Sequence, residues 1–502
     1  MSAASLRPYQ TRAIELLDEA IASGSRSPLL VQPTGSGKTV VATALMRRSV
    51  ERKQRCLFLA PRRELVTQAS RQLARAGIGH GVILAGADAE GGLYSAVQVA
   101  SIDTLLSRLV RRSRLAMLSD PHLVIVDEAH LSITLTRQDL LGRWPNAIRL
   151  GLTATPTRKD GRALGVLYDR LIEPVTVAEL QRDGWLCPAR YYSLSAPDLA
   201  RVKTVAGDYH QGELDEAVNR PKLVGEVVAT WLARAGGRRT VVFATSIAHS
   251  ASLCEEFLRA GVAAEHVDAD TPQALRDATF ERFRSGQTQV LTNCFLASYG
   301  FDLPELSCVV LARPTKSLML YLQMLGRGLR TAEGKADCLV LDHSGCVHRF
   351  GFAHDERAWT LEGERALIER DSASREKHEA KLLTCPECSA TFSGARLCPE
   401  CGYFFAPKGK EIETLDGELV EIGEHLEPEE RERMAWYAEL RGYAVERGWK
   451  LGAAAHRYRE RFGAWPPRTW NSSPPARPSD ETRRWLKSRS IAYSRARMGV
   501  AA

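Results

Sequence analysis

Residues 29–39 have the sequence LLVQPTGSGKT, in which an apolar run leads into a loop with two glycines. Lys38 and Thr39 then open a stretch compatible with a helix that extends to about Arg52. A strand, a loop and a helix N-terminus in this order form an anion site, because the loop N–H groups and the helix dipole both favour phosphate. Lys38 would reach the β- and γ-phosphates of a nucleotide, and the Thr39 hydroxyl would bind Mg²⁺.

This loop departs from the strict phosphate-loop pattern at one position, since Gln32 stands where that pattern has glycine. A plain glycine turn at the start of a helix is the alternative interpretation, and other parts of the chain have to decide between the two. The residues predicted to hold the phosphates are Thr34, Gly35, Ser36, Gly37, Lys38 and Thr39.

A pair of carboxylates follows another apolar run. Residues 123–126 have the sequence LVIV and lead into the DEAH sequence of residues 127–130. A carboxylate at the end of a buried strand can hold Mg²⁺, and a second one beside it can orient and deprotonate the attacking water. We assign these roles to Asp127 and Glu128, and expect His130 to link the ATP site to a second domain. Hydroxyl groups of residues 151–156, GLTATP, could hydrogen-bond this turn.

The second half of the chain contributes residues 323–330, QMLGRGLR, which fit the pattern Q-x-x-G-R-x-x-R from Gln323 onward. Arginines three positions apart share one face of a helix, so Arg327 and Arg330 could both reach across a cleft. An arginine from a second domain stabilises the charge on a transferred phosphoryl group and is worth roughly 10³–10⁵ in rate. A basic helix face is the alternative.

Together, these sequences resemble those of the superfamily 2 helicases. LRPYQ (6–10), PTGSGKT (33–39), APRREL (60–65), DEAH, TATP (153–156), GFDLP (300–304) and the QMLGRGLR stretch occur in the order that this family has. The chain is most similar to the bacterial and phage RadD-like helicases, over roughly residues 1–405. The resemblance implies two RecA-like domains that bind ATP–Mg²⁺ between them and move along nucleic acid.

The resemblance also assigns residues outside the phosphate site. Gln10, with Arg7, would recognise adenine, because a Gln amide can pair with the N6 and N7 edge of that base. Gly300 and Asp302 would lie at the cleft between the domains. The residues predicted to contact nucleic acid are Arg62, Arg63, Ser101, Thr104 and Thr245.

Four cysteines form a CxxC…CxxC array, with nine residues between the two pairs: Cys385, Cys388, Cys398 and Cys401. Four thiolates with this spacing suit tetrahedral Zn²⁺ in a structural site. A disulfide or a redox dithiol is the alternative. The other seven cysteines are scattered and are expected to be small hydrophobes in a reducing compartment.

We therefore predict an α/β protein with two tandem RecA-like parallel-sheet domains, a small zinc ribbon and a mainly helical C-terminal region. The predicted segments are a first, ATP-binding domain (1–185), a connector (186–220), a second domain (221–350), a helical connection (351–383), the zinc ribbon (384–406), an acidic linker (407–430) and a basic helical region (431–502).

The net charge of +8 is unevenly distributed over the 502 residues. Residues 431–502 contain 16 Lys and Arg against 6 Asp and Glu, so the first 430 residues are close to neutral. A polyanion contacted chiefly near the C-terminus is expected, and a solvated basic tail is the alternative. Residues 434–462 interleave aromatics with arginines, which suits stacking on single-stranded nucleic acid or, equally well, the core of a small helical domain.

Length and hydropathy set further expectations. No apolar run approaches the roughly 20 residues of a membrane span, and the N-terminal MSAASLRPYQ lacks the apolar segment of a signal peptide. We expect a cytoplasmic, nucleoid-associated protein without a membrane partner.

The function predicted from these observations is that of an ATP-dependent DNA helicase or translocase in DNA repair or recombination. Its cofactors would be ATP, Mg²⁺ and structural Zn²⁺. Single-stranded or branched DNA would be its substrate, and a single-strand-binding or repair protein could be a partner. The alternatives are an ATP-gated DNA remodeller or clamp that does not separate strands, an RNA helicase, and the motor subunit of a restriction system.

Overall fold

The computed structural model describes residues 6–86, 95–112, 120–131, 135–157, 162–193, 197–205, 207–294, 303–363, 382–394, 397–405, 428–450, 452–472 and 474–498. The chain divides into two compact units, Met1–Pro407 and Lys408–Ala502.

The first sheet consists of short, buried apolar strands covered by helices. Its strands are β1 (Pro28–Val31), β2 (Cys56–Ala60), β3 (Gly81–Ile83), β4 (Val97–Ser101), β5 (Leu123–Val126), β6 (Ile148–Thr153) and β7 (Arg170–Ile172). Its helices are α1 (Pro8–Ala22), α2 (Lys38–Glu51), α3 (Arg63–Arg75), α4 (Ile102–Arg112), α5 (Leu135–Gly142) and α6 (Val177–Arg182). The seven strands pair in parallel, in the order β3-β4-β2-β5-β6-β1-β7.

The second sheet is parallel over six of its eight strands. The strands after β7 are β8 (Ala189–Ser193), β9 (Thr204–Val205), β10 (Asp208–Tyr209), β11 (Thr240–Phe243), β12 (Ala264–Val267), β13 (Val290–Asn293), β14 (Cys308–Leu311), β15 (Cys338–Asp342), β16 (Leu382–Thr384) and β17 (Ala390–Ser393). The helices are α7 (Gln211–Val218), α8 (Pro221–Ala235), α9 (Ile247–Arg259), α10 (Gln273–Ser285), α11 (Leu318–Gly328) and α12 (Cys346–Phe350).

The spatial order of the second sheet is β12-β13-β11-β14-β15-β8-β17-β16, and β9 and β10 form a separate hairpin. Pairing is parallel from β12 to β8, whereas β17 runs antiparallel to β8 and to β16. Two tandem α/β domains, predicted from the sequence, are therefore confirmed. Strand β8 comes from the stretch predicted as a connector, and it joins the cysteine hairpin β16–β17 to the second sheet.

Parallel strands explain why the functional residues converge. A strand that is buried on both faces can be uniformly apolar, and β1, β2, β5 and β14 are buried throughout. The polar residues that follow such strands then lie at the carboxyl edge of the sheet, where α/β proteins bind ligands. Residues 351–363, the described part of the predicted helical connection, contain turns and bends and no helix.

The second unit contains three α-helices among its described residues: α13 (Pro428–Glu446), α14 (Gly452–Phe462) and α15 (Asp480–Met498). They pack around a small core that includes Tyr437, Leu440, Tyr458, Trp470 and Leu486. The predicted helical C-terminal region is thereby confirmed. Within the described parts of both units, no helix has the length and hydropathy needed to cross a bilayer.

Candidate active site

The stretch after β1 forms a tight loop that ends at the N-terminus of α2. Gly35 and Gly37 have φ of +89° and +85°, in the left-handed region that side chains disfavour. A Cβ on Gly37 would also lie 2.7 Å from Nε2 of Gln10. Lys38 is the first residue of α2 and Thr39 the second. This is the strand–loop–helix geometry that the sequence predicts for a phosphate site.

Charged groups from both sheets surround the Lys38 ammonium. Its Nζ donates hydrogen bonds to the carbonyl oxygens of Gln32, at 3.1 Å, and Pro33, at 3.4 Å. Burial lowers the pKa of Lys38, the carboxylates of Glu128 and Asp127 raise it, and two arginines of the second domain lower it. These arginines are Arg327 and Arg330. The predicted catalytic charges therefore interact at one place.

The DEAH turn places its two carboxylates differently. Asp127 directly follows β5 and is buried, and its pKa is raised to about 7 by burial and then by the Glu128 charge, while Lys38 lowers it. Glu128 has φ of +49°, which is uncommon for a residue with a side chain. Its backbone N–H donates to Oδ1 of Asp127 at 3.0 Å. Uncommon backbone conformations of this kind cluster at functional sites.

The GLTATP stretch contacts this turn through Thr153. Its Oγ1 lies 3.1 Å from Nδ1 of His130 and donates to the carbonyl oxygen of Thr155 at 2.8 Å. The same His130 nitrogen lies 3.5 Å from the Glu128 carboxylate. The hydrogen bond expected between the threonine hydroxyls and the DEAH turn is thus present.

The start of α1 braces the phosphate loop. Gln10 is buried, accepts the backbone N–H of Arg7 at 3.0 Å and donates from Nε2 to the Ser36 carbonyl at 3.1 Å. The Tyr9 hydroxyl donates to the same carbonyl at 2.8 Å. The Arg7 guanidinium lies 4.4 Å from the ring centre of Trp185, which also lines the cleft. Gln10 therefore supports the loop, and its pairing with adenine stays a prediction.

Arg327 and Arg330 reach the cleft by different routes. Gln323 and Arg327 belong to α11, which ends at Gly328, so Arg330 lies beyond the helix. The prediction that both arginines share a helix face is wrong. The backbone leaves the helix because Arg330 forms a β-bridge with Leu186, and because the N–H of Cys187 donates to the Leu329 carbonyl at 2.8 Å.

Two glycines allow the second domain to approach the phosphate loop closely. A Cβ on Gly326, in α11, would lie 2.5 Å from Cβ of Thr34, and a Cβ on Gly35 would lie 3.1 Å from Cγ of Arg330. The resulting cleft has a volume of about 340 Å³. Predicted residues that line it are Arg7, Thr34, Gly35, Gly37, Lys38, Thr39, Asp127, Glu128, Gln323, Arg327 and Arg330.

The residues predicted to contact nucleic acid lie in different environments. Arg62 caps α3 and Arg63 begins it, at the carboxyl edge of the first sheet, and Arg63 donates to the Ala85 carbonyl at 3.0 Å. Ser101 and Thr104 are buried at the start of α4, where the Ser101 hydroxyl accepts the Thr104 N–H at 3.5 Å. Only the two arginines of this set are therefore partly accessible at the sheet edge.

Thr245 is fully buried, and its hydroxyl donates to Oδ1 of Asp215, in α7, at 3.0 Å. In this conformation the helix α7 therefore covers it. Gly300 and Asp302 lie outside the described residues. Tyr9 and Trp185 were not predicted as site residues. Tyr9 could have been found from its place in the LRPYQ stretch, whereas the spacing and composition around Trp185 carry no signal.

The four cysteines of the CxxC pairs converge, with all sulfurs within 4.8 Å of one another. Cys385 lies 3.5 Å from Cys401, and Cys388 lies 3.5 Å from Cys398, sulfur to sulfur. Tetrahedral thiolates about 2.3 Å from one Zn²⁺ would stand about 3.8 Å apart, so the set fits this ion. Glu400, between two of the cysteines, accepts from the Arg190 guanidinium of β8 at 3.0 Å.

Comparisons with known proteins agree with this geometry. Residues 3–158 match the family described as "Type III restriction enzyme, res subunit", and residues 219–332 match "Helicase conserved C-terminal domain". A 51.5 kDa protein of a Lactococcus phage (isolate 7-9) is 32% identical over 411 residues, which cover 78% of this chain and 83% of the phage protein. The chain belongs to the superfamily 2 helicases.

Two further proteins are similar to this chain, one in sequence and one in fold. The Saccharomyces cerevisiae protein named "Putative ATP-dependent helicase IRC3" is 32% identical over 367 residues, covering 68% of this chain but only 52% of the yeast protein. A fragment structure of an HsdR subunit of a type I restriction enzyme from Vibrio vulnificus, itself described as putative, has the same fold. Its TM-score is 0.55 at 22% identity, with 69% of this chain and 65% of that chain covered.

Family membership makes the chain an ATP-hydrolysing helicase that acts on nucleic acid. ATP with Mg²⁺ is the cofactor that this class implies. The special likeness to RadD-like helicases stays a prediction.

Proposed function

We propose that this helicase translocates on DNA and separates its strands by closing the cleft between its two domains on ATP. The observation that carries the proposal is that Lys38, two carboxylates from one domain and two arginines from the other all line the same cleft. A cleft that is completed by both domains couples hydrolysis to their relative movement. This is how such a motor advances.

In the proposed mechanism, Lys38 and the loop N–H groups bind the phosphates, and Thr39 with Asp127 would hold Mg²⁺, whose charge neutralises the phosphate oxygens. Glu128 takes a proton from the water that attacks the γ-phosphate. Arg327 and Arg330 stabilise the charge that develops on the transferred group. Trp185, stacked on Arg7, offers an aromatic surface at the nucleoside end of the cleft.

DNA is proposed as the substrate because the matching first-domain family is named for restriction enzymes, which act on DNA. The second unit supports a single-stranded form of it. Three aromatics of this unit are buried in its core and three more pack against it, but Trp449 and Trp465 remain 41% and 49% exposed. Arg459 lies 4.8 Å from the Trp465 ring centre. Exposed aromatic rings beside arginines stack on unpaired bases.

A titration of the ATPase rate against single-stranded, duplex and forked DNA and against RNA tests the substrate. We expect the strongest stimulation by single-stranded or forked DNA. We expect a weaker response to single strands in a Trp449→Ala/Trp465→Ala variant. Stronger stimulation by RNA would contradict the proposal and would favour the RNA-helicase alternative.

A strand-displacement assay on forked DNA tests unwinding. DNA-stimulated hydrolysis without displacement would contradict strand separation and would support the ATP-gated clamp.

A role in DNA repair or recombination, a nucleoid location and a structural Zn²⁺ held by the four cysteines belong to the same proposal. Metal analysis of the purified protein tests the zinc assignment, and a metal-free, fully folded protein would overturn it.

A further inference from the structure

Lys335 lies in the turn between the arginine motif and β15, and its side chain points into the protein. The Nζ atom donates to three backbone carbonyl oxygens: those of Gly328 and Arg330, both at 2.6 Å, and that of Pro304, at 3.2 Å. An ammonium group has three donors and no acceptor. Every donor of this side chain is therefore used on backbone.

The three carbonyls mark functional points of the second domain. Gly328 is the last residue of α11, where carbonyl groups lack partners within the helix and a positive charge is favourable. Arg330 is the second arginine of the cleft. Pro304 closes the GFDLP stretch, and it lines the cleft as well. One side chain thus ties the end of the helix, the arginine and this stretch together.

The charge is held in a partly desolvated place. Burial lowers the pKa of Lys335, and the nearby thiols of Cys338 and Cys187 oppose that effect. A buried ammonium is costly unless hydrogen bonds compensate, and the three carbonyl bonds supply that compensation. A lysine that contributed only to surface solubility would keep its ammonium group in water rather than bonded to three backbone carbonyls.

We propose that Lys335 is a positioning residue for ATP hydrolysis, which fixes the backbone on both sides of Leu329 so that the Arg330 side chain reaches the phosphate loop. The contact it secures is close, since the Arg330 side chain packs against Gly35. Lys335 itself acts through Arg330. The inference rests on the catalytic role proposed for Arg330 and is independent of the identity of the nucleic acid.

The backbone beyond α11 has a second attachment, which separates positioning from folding. The Cys187 N–H holds the Leu329 carbonyl, and Leu186 pairs with Arg330. Without Lys335 the segment that follows α11 keeps its contacts with Leu186 and Cys187. It loses the hydrogen bonds that fix its carbonyl groups to the Lys335 ammonium group. We therefore expect a folded enzyme with a slower chemical step.

The test compares Lys335→Met and Lys335→Arg in the full chain with Lys222→Met, which removes a lysine whose side chain is 86% exposed on α8. We expect Lys335→Met to lower kcat for ATP by about 10- to 100-fold, because small displacements of a catalytic group have effects of this size. The KM for ATP and the thermal midpoint should change little. Lys335→Arg should recover most of the rate, and Lys222→Met should match the wild type.

Two results would overturn the inference. One is an unchanged kcat in a folded Lys335→Met protein. The other is a loss of kcat that accompanies an equal loss of nucleotide binding and that Lys335→Arg does not recover, because this pattern indicates a structural role alone. If Lys335→Met does not fold, Lys335→Gln, which keeps donors without the charge, decides by the same kcat and KM criteria.

Discussion

The phosphate-loop side of the cleft is assembled from segments within one sheet, whereas the arginine side depends on contacts far apart in the chain. The loop follows β1 and the DEAH turn follows β5, and both strands flank β6. These residues meet as soon as the first sheet forms. Arg330 instead lies beyond its helix and is held by Leu186 and Lys335. Nucleotide binding should therefore depend mainly on the first side, and hydrolysis on both.

The largest effect is expected from Glu128→Gln, which breaks the first side chemically without altering its shape. The variant keeps the size of the side chain but cannot accept the proton of the attacking water, so kcat should fall by at least about 10²-fold. Binding of a fluorescent ATP analogue should remain. Steady-state ATPase assays check the first expectation, and fluorescence titration checks the second.

Glu281→Gln is the matched control, since this carboxylate is 74% exposed on α10. It should leave the ATPase rate unchanged. Undiminished turnover in Glu128→Gln would remove the assigned role of this residue, and with it the division of labour between the two sides of the cleft.

The next effect is expected from Gly326→Ala, which probes the contact between the two sides. The added Cβ would lie 2.5 Å from Cβ of Thr34, an atom that no side-chain rotation can move away. The domains would have to separate slightly, which removes the arginines from the phosphates. We expect kcat to fall by about 10- to 100-fold while ATP binding weakens much less.

Gly225→Ala supplies a control of the same chemistry, because a Cβ at this position in α8 would meet nothing within 4 Å. This change should leave activity intact and should stabilise the helix slightly, since alanine is the better helix former. Equal activity of the two alanine variants would show that closure of the cleft does not need the Gly326 contact.

The same contrast explains what could be predicted from the sequence. The loop, the DEAH turn and the cysteine array are each encoded within a few residues, and the structure places their members close together. Arg330 was predicted on a helix face because spacing alone cannot reveal a β-bridge to Leu186. Thr245 stays a predicted nucleic-acid contact, and nothing in the sequence indicates that its hydroxyl donates to Asp215.

Two further features, strand β8 and Lys335, could not be predicted because they depend on contacts that form only when the chain folds. Strand β8 was hidden in a stretch with little apolar periodicity, yet its pairing with β15 and β17 attaches the cysteine hairpin to the second domain. Lys335 had no recognisable motif, because its partners are backbone carbonyls and these leave no pattern in the sequence. Contacts of this kind become visible only once the chain is folded.

The smallest effect is expected from Asp127→Asn, measured in protein without metal or nucleotide. This variant tests how much the buried Asp127 carboxylate, on the phosphate-loop side of the cleft, lowers the stability of the fold. The pKa of Asp127 is raised from 3.8 to about 7 by burial and by Glu128. Between about pH 4 and pH 7, Asp127 is therefore protonated in the folded state and ionised in the unfolded chain. Ionisation of Asp127 destabilises the fold progressively as pH rises through this window.

Asparagine cannot ionise, so the variant should escape this cost. Its thermal midpoint should exceed that of the wild type by roughly 2–6 °C at pH 8 and by less at pH 5. Asp139→Asn, at an exposed position of α5, controls for the loss of a surface carboxylate. An equal difference at both pH values would mean that the substitution acts through packing rather than through charge. A difference that grows with pH would instead show that the carboxylate is kept at an energetic cost to folding, as expected for a group retained to bind Mg²⁺.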